Sequence, residues 1–445
     1  MSLSARIRRA GPPLSVLVLT GCLMEPMPDC TYTDCGTEAG TVTSVAPDGS
    51  VRWSATLQDS ADFTSRGDPA APPVVLARGG SVVVDGCRAV HVLDAADGRV
   101  VLETESMDRV WTVTEDLVVG SGGDGVTNWA GPDARGLLAL PLAGADPSWV
   151  RLPLGDRVVQ GVVEVREGLA VLSGDLVHVL RPDGPTTLVT LGEPVSAPVG
   201  SAPALVRVDD HTVAVLHDDG AVEAVDTARG RSVWSVGPSG PARTARAGHL
   251  GDDLVLSWGT STGGEVARVT ADGTVTWRAE GALPGRVVLD PAATVVPVQK
   301  QYLAAVDATT GESLSLAAGP RPANDVPVLS GPHAVGWTAA GIGTTSAWSA
   351  AAPTGDPLWR RQGVVVGASA DEVVLLTGRS APRSLTAVRP VGTDAWHVPV
   401  RHDGLSVTAV PSMGTVVSDL AVEHVRSEDC DDYPTRHTVP AEALG

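Results

Sequence analysis

A short pattern recurs along this chain and constrains its fold more than any other feature. An alternating apolar run leads into a polar turn that ends in glycine, as in AVDTARGRSVWSV from Ala224 to Val236. Nine copies occur, with their turn glycines at Gly49, Gly98, Gly144, Gly184, Gly230, Gly273, Gly311, Gly355 and Gly392. Five copies carry tryptophan four residues after the glycine, at Trp53, Trp234, Trp277, Trp359 and Trp396. Such regular recurrence indicates one structural unit that is used many times.

The repeat unit has the size of a propeller blade. Neighbouring glycines lie on average about 43 residues apart, which suits four short strands with their turns. Valine-rich alternating runs such as TVAVL (212–216) predict strands, and the turn glycine supplies the backbone conformation of a tight hairpin. No segment of helical length shows a period of about 3.6 residues. The sequence therefore predicts an all-β chain whose blades stack around an axis, with the motif tryptophans packed between neighbouring blades.

The pattern Ala-Val-Asp-x-x-x-Gly-x-x-x-Trp resembles the repeat of the pyrroloquinoline-quinone-type β-propellers. The resemblance extends over nearly the whole chain, from Thr41 to Arg426. This superfamily includes quinoprotein dehydrogenases, and also non-enzymatic lipoproteins similar to the propeller subunit of the outer-membrane barrel-assembly machinery. The resemblance implies a single propeller, but the shared motif is a structural element and does not specify an activity.

The first and last copies bear on the blade number and on the domain boundaries. The motif around Gly49 lacks upstream strands, while two strand-like runs, LSVTAV and TVVSDLAVEHV, follow Trp396. We expect these terminal segments to share one blade that closes the ring. Members of the family usually have about eight blades, so we expect eight and keep nine as the alternative. The expected organisation is a signal peptide (1–21), a tether (22–40), the propeller (41–427) and an acidic tail (428–445).

The N-terminus has the features of a secretory signal. Arg6, Arg8 and Arg9 precede a short apolar run, which ends in Leu-Thr-Gly-Cys at Cys22. This ending resembles the lipobox of bacterial lipoproteins, which implies that Cys22 becomes the lipidated first residue of the mature chain. An ordinary signal peptide with a chance cysteine is the alternative. We therefore expect an exported protein that is lipid-anchored to a bacterial membrane and faces away from the cytoplasm.

Four further cysteines are disulfide candidates: Cys30, Cys35, Cys87 and Cys430. An even number of cysteines in an exported chain favours two disulfides, and their connectivity cannot be read from spacing alone. Because the expected ring closure brings the termini together, a link from Cys430 to Cys30 or Cys35 is favoured. A local bridge between Cys30 and Cys35 and free thiols remain open alternatives.

The sequence lacks the markers of quinoprotein catalysis. No two cysteines are adjacent, no Cys-x-x-Cys-His occurs, and the two asparagines, Asn128 and Asn324, lie in no recognisable metal cluster. The ten histidines are dispersed along the chain. The segments HDDG (217–220) and HLGDD (249–253) are interpreted as hairpin turns, because the alternating oxygen-ligand spacing of a calcium loop is missing. We predict no catalytic residue, no metal and no cofactor.

Inserts that interrupt the repeat are the better places to look for function. The insert from Leu57 to Pro73 holds the only phenylalanine, Phe63. The insert from Gly120 to Gly136 places Trp129 away from the repeat position. Both residues are candidate anchors of a binding loop, with a packed Trp129 as the alternative.

Charge narrows the range of partners. A net charge of −20 argues against nucleic acid, which needs basic patches, and suits basic or cationic partners. We predict a non-catalytic scaffold that binds a protein partner in the cell envelope, with an oligomeric state that the sequence does not set. A propeller that binds a sugar, peptide or cation in its central channel is the alternative, followed by a quinone-dependent dehydrogenase.

Overall fold

The larger of two compact units contains almost all of the structure. This unit is Thr33–Glu423, and the smaller one joins Met1–Tyr32 to His424–Gly445. The computed structural model describes residues 31–35, 40–57, 74–78, 80–85, 89–105, 109–121, 137–142, 150–152, 154, 159–181, 186–192, 195, 204–240, 244–260, 263–284, 287–290, 292–300, 303–314, 328–331, 334–338, 344–351, 356–368, 372–378, 383–401, 404–410, 414–420 and 422–426. Of the smaller unit, only strand residues at 31–32 and 424–426 are among them.

The described residues form β-strands joined by turns and loops, without a helix. The strands before the middle of the chain are β1 (Thr31–Cys35), β2 (Gly40–Val45), β3 (Val51–Leu57), β4 (Val74–Arg78), β5 (Ser81–Asp85), β6 (Ala89–Asp94), β7 (Val100–Glu105), β8 (Arg109–Val113), β9 (Leu117–Ser121), β10 (Leu138–Pro141), β11 (Val150–Arg151), β12 (Gly161–Val165), β13 (Gly168–Ser173), β14 (Leu176–Leu180), β15 (Thr187–Thr190), β16 (Leu205–Arg207), β17 (Thr212–Leu216), β18 (Val222–Asp226) and β19 (Arg231–Val236). The later strands are β20 (Thr244–Leu250), β21 (Asp253–Thr260), β22 (Gly263–Val269), β23 (Val275–Glu280), β24 (Val287–Leu289), β25 (Val295–Gln299), β26 (Leu303–Asp307), β27 (Ser313–Leu314), β28 (Val328–Ser330), β29 (Ala334–Thr338), β30 (Thr344–Ser349), β31 (Trp359–Gln362), β32 (Val364–Ala368), β33 (Val373–Thr377), β34 (Arg383–Val388), β35 (Asp394–Val400), β36 (Gly404–Val410), β37 (Gly414–Leu420) and β38 (Val422–Arg426).

Most sheets are antiparallel meanders of four consecutive strands. The regular ones are β4–β7, β8–β11, β12–β15, β16–β19, β20–β23 and β32–β35. One further sheet joins the two ends of the larger unit in the order β3-β2-β37-β36. This sheet closes the ring with terminal segments, as the sequence predicts. A separate two-stranded sheet pairs β1 with β38.

The described sheets outnumber the expected eight blades. Nine sheets carry the nine motif copies, because the closing sheet contains the first motif, around Gly49, in its β2–β3 hairpin. The expectation of eight is therefore not confirmed, and nine stays the alternative. The terminal strands complete the first motif instead of adding a blade without a motif.

One repeat departs from the four-stranded pattern. Strand β24 pairs in parallel with β28 of the next sheet, which leaves β25–β27 as a three-stranded sheet and makes the neighbouring sheet five-stranded. Pro297 explains the departure. The flanking residue Gln299 hydrogen-bonds with Ala282 on the inner edge of β25, and the carbonyl of Val295 accepts the Ser330 hydroxyl at 2.5 Å on that edge. By alternation Pro297 faces the same edge, where it has no N–H to offer an inner strand.

The buried apolar side chains lie between successive sheets. Valine and leucine from β12–β15 pack with those of β16–β18, and the same layer recurs between β20–β22 and β25–β26. At the closing sheet, Val45 and Val417 pack against Leu385 and Trp396 of the preceding sheet. Each blade therefore buries its faces against both neighbours, and the layer continues across the point where the chain ends meet.

Candidate functional site

The motif tryptophans dock on the motif turns of the following sheet. Trp53 donates from Nε1 to the carbonyl of Ala95 at 2.9 Å, and its ring lies against Gly98, where a Cβ would come within 2.4 Å of the ring. The same contact joins Trp234 to Gly273, Trp277 to Gly311 and Trp359 to Gly392. The motif glycine of one blade and the motif tryptophan of the preceding blade thus form one contact. At Gly230 the methyl group of Thr187 takes the place that the tryptophan ring has at the other glycines.

A β-bulge sets the direction of these side chains. In the β18–β19 hairpin the register shifts between Ala224 and Val225, next to the residue opposite Trp234. Equivalent shifts occur in the hairpins β2–β3, β6–β7, β22–β23 and β34–β35. A bulge turns the following side chain away from the regular alternation, which here aims the indole at the next blade.

The contact at the ring closure has a different hydrogen-bond acceptor. Trp396 lies against Gly49 of the closing sheet, but its Nε1 donates to the two carboxylate oxygens of Glu372 at 3.0 and 2.9 Å. The hydroxyl of Thr415 donates to the same carboxylate at 2.7 Å. The Glu372 side chain is buried. A buried carboxylate with neutral donors therefore joins the last regular sheet to the closing sheet.

Several sequence-predicted residues lie outside the described part of the chain. These are the lipidation candidate Cys22, the cysteines Cys30, Cys87 and Cys430, the loop residues Phe63 and Trp129, and the turn glycines Gly144, Gly184 and Gly355. Cys35 is the last residue of β1. The disulfides, the lipid anchor, the binding loop and the domain boundaries remain predictions.

A cleft of about 800 Å³ opens at the end of the sheets where the motif turns lie. We call it the turn cleft. Its lining comes from two neighbouring sheets, namely the turn after β16 (207–212), the turn after β18 (226, 228 and 229), the turn after β20 (249 and 252) and Ala271. In an antiparallel meander the first and third turns lie at one end, so adjacent blades bring four turns together here. The repeat thereby places residues about 40 positions apart side by side.

Two of the four aspartates of the turn cleft are paired with arginines on the same turns. Arg207 contacts Asp210, and the Arg229 guanidinium donates to Asp226 at 2.7 Å. Asp226 also accepts the backbone N–H of Arg229 at 2.8 Å. Burial raises the pKa of Asp226, but the hydrogen bonds and the positive charge of Arg229 outweigh burial and lower the pKa overall. These paired side chains fix the shape of the turns and leave little net charge.

A polar bridge next to the turn cleft links the sheets β12–β15 and β16–β19. The carboxylate of Glu167 lies 2.5 Å from Nδ1 of His211 and accepts the Thr227 hydroxyl at 2.7 Å. Burial raises the pKa of Glu167, but the hydrogen bonds from Thr227 and His211 outweigh it and lower the pKa overall. The bridge therefore stabilises an ionised Glu167 between two blades.

His249 and Asp252 form the wall contributed by the next sheet. Burial lowers the pKa of His249, and the positive charge of Arg207 lowers it further, so the imidazole is neutral at pH 7. Asp252 is exposed in the turn after β20. The turn cleft thus combines a neutral imidazole with carboxylates on walls from two sheets.

The sequence of HLGDD (249–253) predicts only a hairpin turn. The segment does form the turn between β20 and β21, and it also supplies His249 and Asp252 to the turn cleft. The signal that could have found this site was the juxtaposition of equivalent turns in consecutive repeats. Within the described part of the chain no group of three or more His, Cys, Asp or Glu side chains is placed to hold a metal ion. The residues that the structure covers include no helix long and apolar enough to cross a membrane.

Comparison with known proteins bears on the fold. No family model and no curated protein matches this sequence. Among solved structures, a eukaryotic initiation factor is similar at 11% identity with a TM-score of 0.51, covering 86% of this chain and 99% of that one. BamB from Moraxella catarrhalis matches at 14% identity and a TM-score of 0.39, over 78% of this chain and 96% of its own.

The dihydro-heme d1 dehydrogenase NirN, in complex with DHE, is a further neighbour at 10% identity and a TM-score of 0.44. It covers 88% of this chain and 76% of that chain. At such identities a likeness shows the fold and not the activity. The sheets described above, together with the fold-level likeness at a TM-score of 0.51, confirm the fold expected from the repeat: the protein is an all-β chain with a β-propeller fold.

Proposed function

We propose that the protein is an exported lipoprotein, anchored through Cys22, whose propeller is a non-catalytic scaffold for a protein partner in the cell envelope. The observation that carries the proposal is the turn cleft, an open concavity whose walls belong to two blades. The Trp234–Gly273 contact ties these same two blades together. A rigid concavity with polar walls suits recognition of a partner with little rearrangement.

The hydrogen bonding near the turn cleft supports binding rather than catalysis. Thr227, His211 and Glu167 contain the group types of a nucleophilic triad, but their connections differ from one. The single proton of the Thr227 hydroxyl is shared between the Glu167 carboxylate and the backbone carbonyl of His211, each 2.7 Å from the hydroxyl oxygen. In a hydroxyl–imidazole–carboxylate triad the hydroxyl instead donates to the imidazole, whereas here the His211 imidazole contacts only the Glu167 carboxylate among the three. The trio therefore supports a bridge between blades.

The lipid anchor, and with it the membrane localisation, is tested by substitution of Cys22. Cys22→Ala removes the sulfur that would carry lipid, so the protein should move from the membrane fraction to the soluble extracytoplasmic fraction. Immunoblots after fractionation measure this shift, and Leu23→Ala, which keeps the cysteine, should stay on the membrane. A Cys22→Ala protein that remains membrane-bound would contradict the lipid anchor.

The scaffold role is tested by crosslinking in intact cells followed by capture from solubilised membranes. The same partner should be enriched in every replicate, in an amount close to equimolar with the captured protein. Calorimetry of the purified protein with pyrroloquinoline quinone and Ca²⁺ addresses the alternative. Tight binding of the quinone would overturn a non-catalytic role, and the absence of any enriched partner would overturn the scaffold.

A further inference from the structure

Two carboxylates of the turn cleft have no cationic partner among the described residues. Two of its four aspartates pair with the two arginines, which leaves Asp209 and Asp252. Asp209 accepts the backbone N–H of His211 at 2.7 Å, which orients its carboxylate without neutralising it. Within the described part of the chain neither Asp209 nor Asp252 forms an ion pair. The two negative charges stand on walls from adjacent blades.

The remaining lining of the turn cleft does not offset this charge, and its second histidine, His211, lies against the carboxylate of Glu167 at 2.5 Å. His249 is partly buried beside Arg207 and neutral at pH 7. Val208, Ala228 and Ala271 add apolar surface between the walls. An apolar surface between carboxylates complements a side chain with an aliphatic stem and a cationic head.

We propose that the turn cleft binds an arginine or lysine side chain presented by an extended peptide segment of the partner protein. The inference rests on the proposed scaffold function and names the chemistry of its partner. The cavity of about 800 Å³ is several times larger than one such side chain and is open to solvent, so it has room for the backbone and neighbouring residues. The net charge of −20 favours the approach of a basic segment.

A capped peptide with one central arginine between alanines tests the proposal, with the detergent-solubilised full chain as receptor. Its matched control replaces the arginine by citrulline, which has nearly the same shape and no charge. Calorimetry should show binding of the arginine peptide that weakens with added salt, and about tenfold weaker binding of the citrulline peptide. Equal binding of both peptides, or no binding of either, would overturn the proposal.

Variants place the binding in the turn cleft. Asp252→Asn should weaken binding of the arginine peptide about three- to tenfold, and Asp209→Asn should do the same because its amide oxygen can still accept the His211 N–H. Asp116→Asn is the matched control, an exposed aspartate in the corresponding turn after β8. A loss of affinity in Asp116→Asn as large as in Asp252→Asn would contradict the assignment.

Two further measurements complete the test. The first distinguishes a peptide segment from a small free cation as the ligand, and the second distinguishes failure of the cleft assignment from failure of the scaffold function. Arginine amide alone should bind at least tenfold more weakly than the peptide, and equal affinity would overturn recognition of a peptide segment. Capture with the Asp252→Asn protein should recover less of the partner than wild type. If both proteins recover the partner equally, the cleft assignment fails while the scaffold function stands, whereas no partner with either protein removes the scaffold function itself.

Discussion

At the scale of single residues, the motif glycine has two tasks that only the structure separates. The sequence predicts that Gly273 opens a tight turn, and its φ of +88° agrees with that role. The structure adds that Trp234 of the preceding blade occupies the space where a side chain at Gly273 would lie. Spacing within one repeat cannot show this, because the two partners belong to different repeats.

Gly273→Ala should therefore destabilise the protein more than a positive φ alone explains. Its Cβ would lie 2.4 Å from the Trp234 ring, whereas a Cβ at Gly80, which has the same φ of +88°, meets nothing within 4 Å. Both variants carry the conformational cost of about 1 to 2 kcal/mol, and Gly273→Ala should lose a further 1 to 3 kcal/mol or so by overpacking. Urea unfolding measures both losses, and equal midpoints would contradict the shared contact.

At the scale of strands and turns, local pattern predicts more than the joining of repeats. Alternation in TVAVL and the glycine of HDDG correctly predict β17 and the turn after it. The turn cleft could not be predicted because the repeat pattern describes only the residues that its copies share. His249 and Asp252 are among the residues that differ between copies. The displaced strand β24 escaped for another reason, since its pairing depends on one missing N–H, at Pro297, in the neighbouring strand.

The bridge at Glu167 predicts acid sensitivity of the junction between two blades. The folded-state pKa of Glu167 is lowered relative to the unfolded value of about 4.3. The unfolded chain therefore binds more protons as the pH falls, so the stabilisation is present above about pH 4.3 and is lost as the pH drops through the folded pKa. Glu167→Gln should cost about 1 to 2 kcal/mol at neutral pH and remove this part of the acid dependence.

Urea unfolding across pH measures the effect of Glu167→Gln against wild type. Glu115→Gln, at an exposed glutamate in the turn after β8, should leave the curve unchanged. His249 contributes with the same sign at higher pH, between its lowered pKa and about 6.5, and is present in all three proteins. Parallel curves for wild type and Glu167→Gln down to strongly acidic pH would show that Glu167 stabilises neither blade through its charge.

At the scale of the whole molecule, the ring depends on one junction that is not covalently continuous. Strand β2 from the start of the propeller pairs with β37 from its end, from Thr41 opposite Asp419 to Val45 opposite Thr415. Most other described sheets are meanders of consecutive strands, whereas this sheet and the two-stranded β1–β38 sheet pair strands from opposite ends of the chain. Glu372 and Trp396 add a side-chain connection from the preceding blade to Thr415 of that sheet.

Glu372→Gln should open the ring at this junction before the rest of the molecule unfolds. The amide oxygen can take the place of Oε1 and still accept both donors, but the amide NH2 then takes the place of Oε2, which lies 2.9 Å from the Trp396 N–H, so two buried donors face each other. We expect a loss of about 1 to 3 kcal/mol. Hydrogen exchange followed by mass spectrometry should show faster exchange in β2 and β37 than in β17, which lies in a blade away from the junction.

Glu312→Gln, at an exposed glutamate, should change neither stability nor exchange. If Glu372→Gln exchanged like wild type in β2 and β37, hydrogen bonding at Glu372 would not hold the ring closed, and strand pairing with the buried layer around Val45 and Val417 would account for closure alone.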